Sequence, residues 1–245
     1  MVYFYGDSFT AERFSSYRLR TWLFENSITY DDIIVEEDKR HWTKLLSKKL
    51  EQDYEINAQG GWSNQDILLR VIRDLHKFTS KDTVVVLASE STRVMMPANI
   101  KHTEQQKNYG PGKSARALGY PMVSVPGSLL VKEYEKDNSS TMKDMWLAGI
   151  DYFTNISMPY QNDIQKYYVD LALKPLIEYI DSNICRSVVF THKLWPLFTS
   201  WGDLGDMYEG DGHWSPEGWI DFSNFAYKIL LSDKTFVSNH NTKLI

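Results

Sequence analysis

A chain of 245 residues with 24% charged and 42% apolar residues is long enough to bury a substantial core and too apolar for a disordered tail. Its net charge of −5, with no long basic block, leaves no electrostatic footprint for nucleic acid, and no apolar run approaches a membrane span. The single cysteine, Cys185, excludes an internal disulfide and reads as a small apolar filler at a helix-to-strand junction.

The chain opens on Val2, Tyr3, Phe4 and Tyr5, an apolar and aromatic run of strand type that stops at Gly6, Asp7, Ser8, Phe9 and Thr10. We expect a buried first strand ending in a tight turn, where Gly6 lets the backbone bend. Ser8 then stands at the carboxyl end of the strand, where open α/β sheets hold their ligands. That placement makes Ser8 the candidate nucleophile, although a Gly-Asp-Ser run alone is also an ordinary turn. With a strand starting at Val2, no cleavable leader is expected; synthesis is expected in the cytosol, with later carriage in a larger particle left open.

Residues 11–40 are polar and irregular and are expected to pack beside the site. Trp42, Leu45, Leu46 and Leu50 recur at helical intervals, predicting an amphipathic helix, and a short strand follows over Tyr54 to Asn57. Gly60 and Gly61 mark a turn. Ser63 with Asp66 is a capping-box start for a helix whose buried face should be Ile67, Leu68, Val71, Ile72 and Leu75. Thr83 to Ala88 is the near-continuous apolar run of a parallel strand covered on both faces, and it ends in Ser89, Glu90, Ser91, Thr92 and Arg93.

From Met95 to about Met158 turn signals dominate without clear strands, so we expect an inserted lid or binding region, with a short helix over Met142 to Phe153; a peripheral elaboration is the other reading. Asp163 to Ser182 carries a helical face at Ile164, Tyr167, Tyr168, Leu171, Leu176, Ile177 and Ile180, bent or broken near Pro175. Ser187 to Thr191 is the next strand. His192, at its carboxyl end, is a candidate substrate contact or a structural histidine, whereas His41, His76, His102 and His240 have no comparable setting. Residues 195–210 read as loop. Ser215 and Pro216 suit the start of a last helix with a core face at Trp219, Phe222, Phe225, Ala226, Ile229 and Leu230, and the tail from Ser238 is expected to fray. No internal repeat, metal-ligand spacing or phosphate-binding glycine loop occurs.

A serine hydroxyl is a weak nucleophile at neutral pH and needs an imidazole as base, itself oriented by a carboxylate. Asp211 and His213, in the loop before the last helix, can supply both. The first block, Gly6 to Thr10, and the last, Asp211 to Gly218, together resemble the SGNH/GDSL hydrolase superfamily of serine esterases and acetylesterases.

The resemblance implies a three-layer α/β/α sandwich with a central parallel sheet, flavodoxin-like, as a single domain over residues 1–245 with the insertion at about 95–158. It implies a triad of Ser8, His213 and Asp211, and an oxyanion hole from the backbone N–H groups of Ser8 and Gly61, with Gly60 as fallback. The family's third block usually reads Gly, any residue, Asn, Asp; this chain has no such Asn, so Ser89, Ser91, Thr92 or the Arg93 guanidinium is left as a third donor. One residue, Gly212, separates Asp211 from His213 where the family has two. Positions i and i+2 of an extended segment still point the same way, and Glu209 is the substitute acid. The implied activity is hydrolysis of a carboxylic ester, with O-acetyl groups on a carbohydrate as one class, requiring no cofactor and no metal. The expected partner is a small-molecule or glycan ester, with no nucleic acid or membrane partner and the oligomeric state open. The rival is a noncatalytic module on the same fold, gripping a glycan with its many Trp and Tyr residues.

Overall fold

The computed structural model describes residues 1–7, 9–11, 41–58, 62–89, 93–97, 122–126, 163, 166–198, 214 and 216–238. Seven strands are found among them: β1 Val2–Gly6, β2 Tyr54–Ala58, β3 Thr83–Leu87, β4 Arg93–Pro97, β5 Met122–Pro126, β6 Arg186–Phe190 and β7 Phe236–Val237. Five of these form one sheet in the order β2-β1-β3-β6-β7, every neighbouring pair parallel.

Strand periodicity divides the core in two. Val2 and Phe4 point to one face of the sheet, where helices α1 (Trp42–Leu50) and α4 (Pro216–Leu230) bring Trp42, Leu46, Trp219 and Phe222 against them. Tyr3 and Tyr5 point to the other, covered by α2 (Asn64–Asp74), a π-helical run over Lys166–Leu173 and its continuation α3 (Lys174–Asn183), through Ile67, Val71, Val169, Leu173 and Ile177. The expected α/β/α layering is therefore present, and β1 and β3 are buried on both faces, as their unbroken apolar runs require. No helix among the described residues is long and apolar enough to cross a membrane.

The strand order sets the site. The chain leaves β1 for β2 on one side and then crosses to β3 on the other, so the order reverses at β1. Open α/β sheets bind ligands at the carboxyl ends of the strands flanking such a reversal, here just beyond Gly6 and Leu87.

Several expectations are corrected. Ile72 is 47% exposed, because the buried stripe of α2 runs through Asn64, Ile67, Val71 and Asp74, and Ile72 lies to one side of it. Asp74 accepts from the Tyr5 hydroxyl at 3.1 Å and from Arg70 Nε at 3.0 Å; burial, and then the Asp74 charge, push the Tyr5 hydroxyl pKa up. Tyr167 and Leu171 are also exposed, because the wider π-helical winding turns Val169 and Leu173 inward instead. Ordinary helical winding resumes at Lys174, and Pro175, which has no N–H to return to the preceding turn, sits at the change of winding. The expected absence of strands after Met95 is overturned by an antiparallel β4–β5 ribbon whose strands each end in a proline. Two-residue β7 was not foreseen, and the 3-10 segment His192–Leu197 runs into the stretch from residue 195 that was expected as loop. The expected helix over Met142 to Phe153, residues 12–40 and the remaining insertion lie outside the described residues.

At the amino end of β6, Arg186 closes the last helix. Its guanidinium donates to the carbonyls of Ile229 (3.1 Å), Leu230 (3.0 Å), Ser232 (2.6 Å) and Lys234 (2.8 Å), and it pairs with Asp181 at 2.7 Å. The carbonyls at a helix carboxyl end lack intrahelical donors, and a cation there also opposes the helix dipole. Cys185, immediately before it, is buried as expected, and burial pushes its thiol up to about 11.

Candidate active site

The turn after β1 is built by glycine and aspartate in different ways. A Cβ on Gly6 would collide with the Thr10 side chain and stand 3.1 Å from the Leu87 carbonyl oxygen, so glycine is required for space. The expected reason was the bend that follows; the space requirement adds a second, and no left-handed backbone angle occurs at Gly6. Asp7 then organises Phe9, Thr10 and Ala11: its carbonyl accepts from the N–H groups of Thr10 (3.0 Å) and Ala11 (2.9 Å), and its Oδ1 accepts from the Phe9 N–H at 3.0 Å. An aspartate side chain closing on the backbone two residues ahead is an Asx-type turn.

A second set of bonds reaches this turn from β3 and α2. The Ser89 hydroxyl, just beyond β3, donates to Asp7 Oδ2 at 2.7 Å. Asn64 grips the same serine twice, Oδ1 accepting its N–H at 2.7 Å and Nδ2 donating to its carbonyl at 2.8 Å. Asn64 is held in turn because the helix start is a capping box, as expected: the Ser63 N–H donates to Asp66 Oδ2 at 2.9 Å and the Asp66 N–H to Ser63 Oγ at 3.3 Å. Such a cap contributes about 1 kcal/mol to helix stability. Since the Ser89 hydroxyl has one proton and gives it to Asp7, Ser89 drops out of the candidate oxyanion donors.

The turn is also packed from the opposite side of the sheet. Trp42 Nε1 donates to the Phe9 carbonyl at 2.7 Å, and the Phe9 ring meets Trp214 edge-on with centroids 5.2 Å apart. Trp214 is fully buried, 4.5 Å from Phe222, and continues into the aromatic core formed by Phe198, Phe222 and Trp42. The segment just before the last helix therefore meets the segment just after the first strand.

Among the described residues, Thr10 Oγ1, Trp62 Nε1 and Thr191 Oγ1 are buried without a hydrogen-bond partner. They come after β1, β2 and β6 respectively, all at the carboxyl edge of the sheet. Each such atom costs about 1–3 kcal/mol, and open α/β sheets as a class hold ligands at that edge.

Of the candidate site residues, Ser8, Gly60, Gly61, Ser91, Thr92, Glu209, Asp211 and His213 lie outside the described residues, and Arg93 is described only as the backbone opening β4. His192 lies half-buried at the carboxyl end of β6, two residues past Phe190, as Ser89 lies two past its partner Leu87. Asn57 is tied up: its carbonyl oxygen accepts from Arg70 at 2.8 Å and its amide donates to Glu55 at 2.9 Å. The sequence reading missed two residues. His41 is buried, 2.7 Å from the Thr43 hydroxyl and with its ring 5.1 Å from that of Trp219. Asn64 was read only as part of a helix start; its reach across 25 residues to Ser89 has no periodic signature. Among the described residues no cluster of three potential metal ligands occurs.

No protein-family model matches the chain, and no curated protein matches it. Among solved structures it is similar to the crystal structure of a member of the lipolytic protein G-D-S-L family from Veillonella parvula DSM 2008. That match has 10% sequence identity and a TM-score of 0.32, over 93% of this chain and 96% of that one.

Proposed function

We propose that the protein is a serine hydrolase that cleaves carboxylic esters, with Ser8 as nucleophile, His213 as general base and Asp211 orienting the imidazole. The observation that carries this reading is the Phe9–Trp214 ring contact, because Phe9 is next to Ser8 and Trp214 is next to His213 in the chain. In this scheme Ser8 Oγ attacks the ester carbonyl while His213 takes its proton, and the backbone N–H groups of Ser8 and Gly61 stabilise the oxyanion. Ser91 or Arg93 is the third donor. Collapse expels the alcohol, which takes the proton from His213; water then adds to the acyl-serine with His213 again as base, releasing the acid and restoring Ser8. O-acetylated carbohydrate is the substrate class to test first, with His192 as a contact to it.

The test is release of p-nitrophenol from p-nitrophenyl acetate by the wild type and by Ser8→Ala. Loss of the nucleophile should lower turnover about 10³-fold or more with little change in thermal unfolding. Equal turnover in the two proteins would sink the assignment. A second reading, a glycan-binding module, is favoured by one observation: the strand-end hydroxyl of Ser89 is committed to Asp7. It forecasts oligosaccharide binding equal in wild type and Ser8→Ala, and no acetate released from any acetylated glycan.

A further inference from the structure

We propose that Asn64 and Ser89 are positioning residues for the nucleophile turn, acting through Asp7 to hold the backbone on both sides of residue 8; this inference rests on the hydrolase reading. Three elements with no covalent neighbour in common are joined by three hydrogen bonds, and a fourth closes the turn after β1. The Asn64 amide fixes both backbone polar groups of Ser89, at 2.7 and 2.8 Å, so the peptide planes around Ser89 are set by the start of α2. The Ser89 hydroxyl carries that constraint to Asp7 Oδ2 at 2.7 Å, and the other carboxylate oxygen passes it to the Phe9 N–H at 3.0 Å. Asn64, Ser89, Asp7 and Phe9 are all buried, where hydrogen bonds are strong and polarise one another.

The placement matches the need. A nucleophile on a turn beyond the last residue of a strand takes its position from the groups that clamp that turn, and a displacement of about 1 Å costs roughly a hundredfold in rate. Trp42 fixes the Phe9 carbonyl from one face of the sheet, and the Asn64–Ser89–Asp7 relay fixes the Phe9 N–H from the other. The relay is buried and its groups bond to one another within the protein, so it is expected to act on the rate of the chemical step and not on binding.

Ser89→Ala is the decisive variant, since it removes one oxygen and adds no volume. In p-nitrophenyl acetate hydrolysis it should lower kcat about 10- to 100-fold while KM stays within about twofold. Amide hydrogen exchange at Phe9 should quicken, with exchange at Val84 to Val86 unchanged. Asn64→Ala should reproduce the same pattern; if it fails to fold, Ser89→Ala decides alone. A folded Ser89→Ala with unchanged kcat and unchanged exchange at Phe9 overturns the proposal, as does a loss expressed in KM alone. If the wild type hydrolyses no ester and a fluorophosphonate does not label it, the hydrolase reading fails. Exchange at Phe9 then decides the relay: acceleration in Ser89→Ala supports it as the clamp of this turn, and none overturns it.

Discussion

Arg186 and Asp7 stand at opposite ends of the same parallel sheet, and each is the centre of a buried or half-buried polar network. Arg186, at the amino end of β6, gathers the carbonyls that close α4 and pairs with Asp181. Asp7, at the carboxyl end of β1, gathers backbone N–H groups of its own turn and a hydroxyl from β3. The first network joins one element to another and leaves its donors matched. The second shapes a turn that includes Thr10, whose buried hydroxyl has no hydrogen-bond partner among the described residues. On the proposed function, one end of the sheet serves stability and the other a ligand, and substitutions should separate the two.

The largest separation is expected at the base. General base catalysis contributes about 10²- to 10⁴-fold, so His213→Ala should lower ester hydrolysis by that factor and barely move thermal unfolding. In the wild type, the rate at low substrate should fall as pH drops and the base takes up a proton. His192→Ala should keep that limb; if it removes the limb and His213→Ala does not, His192 is the base.

Arg186→Ala is the mirror experiment. Hydrogen bonds to a charged group contribute about 1.5–3 kcal/mol, and at least that much should be missing from the unfolding free energy in urea, with kcat unchanged. A fall in kcat of the folded variant would mean that the two ends of the sheet are not independent.

Gly6→Ala lies between these cases. Its new methyl must displace the Thr10 side chain or crowd the Leu87 carbonyl, an overpacking cost of about 1–3 kcal/mol. Because Thr10 belongs to the turn that Asp7 closes, hydrolysis should fall together with stability. A stability loss with full activity would show that the turn tolerates the shift.

The two ends also differ in how far the sequence exposed them. The strands β1, β3 and β6 and the core face of α4 were legible because burial imposes a period on the residues that achieve it: Val2 and Phe4 against Tyr3 and Tyr5, Phe222 against Phe225 and Ile229. The Ser63–Asp66 cap was legible because its partners are three residues apart. The Ser89 hydroxyl looked like a free donor because its partner, Asp7, lies 82 residues away. Arg186 gave no signal for the same reason, its carbonyl acceptors lying 43 to 48 residues on. Ile72, Tyr167 and Leu171 failed for a different reason: a strict helical period assumes uniform winding and an apolar partner on every turn, and neither holds there.

The smallest effect is the most discriminating, because it reads the Arg186 end without relying on catalysis. Cys185 is buried and next to Arg186, and desolvation, then the Asp82 and Asp181 charges, push its thiol up to about 11. At pH 8 such a thiol is ionised to about one part in a thousand, whereas an unperturbed one near 8.5 is ionised to about a quarter. Labelling by a disulfide reagent should therefore be slow in the native protein and limited by opening around the β6 amino end. Because the folded value is raised, the thiol's contribution to stability is complete below about 8.5 and is lost as pH climbs toward about 11. Arg186→Ala should speed labelling about tenfold or more, the equivalent of 1.4 kcal/mol or more at roughly 25 °C. Ser89→Ala, acting on the other end, should leave the labelling rate where it was. Equal acceleration by both substitutions would mean that the sheet opens as one unit, and the division between a stabilising end and a ligand end would fall.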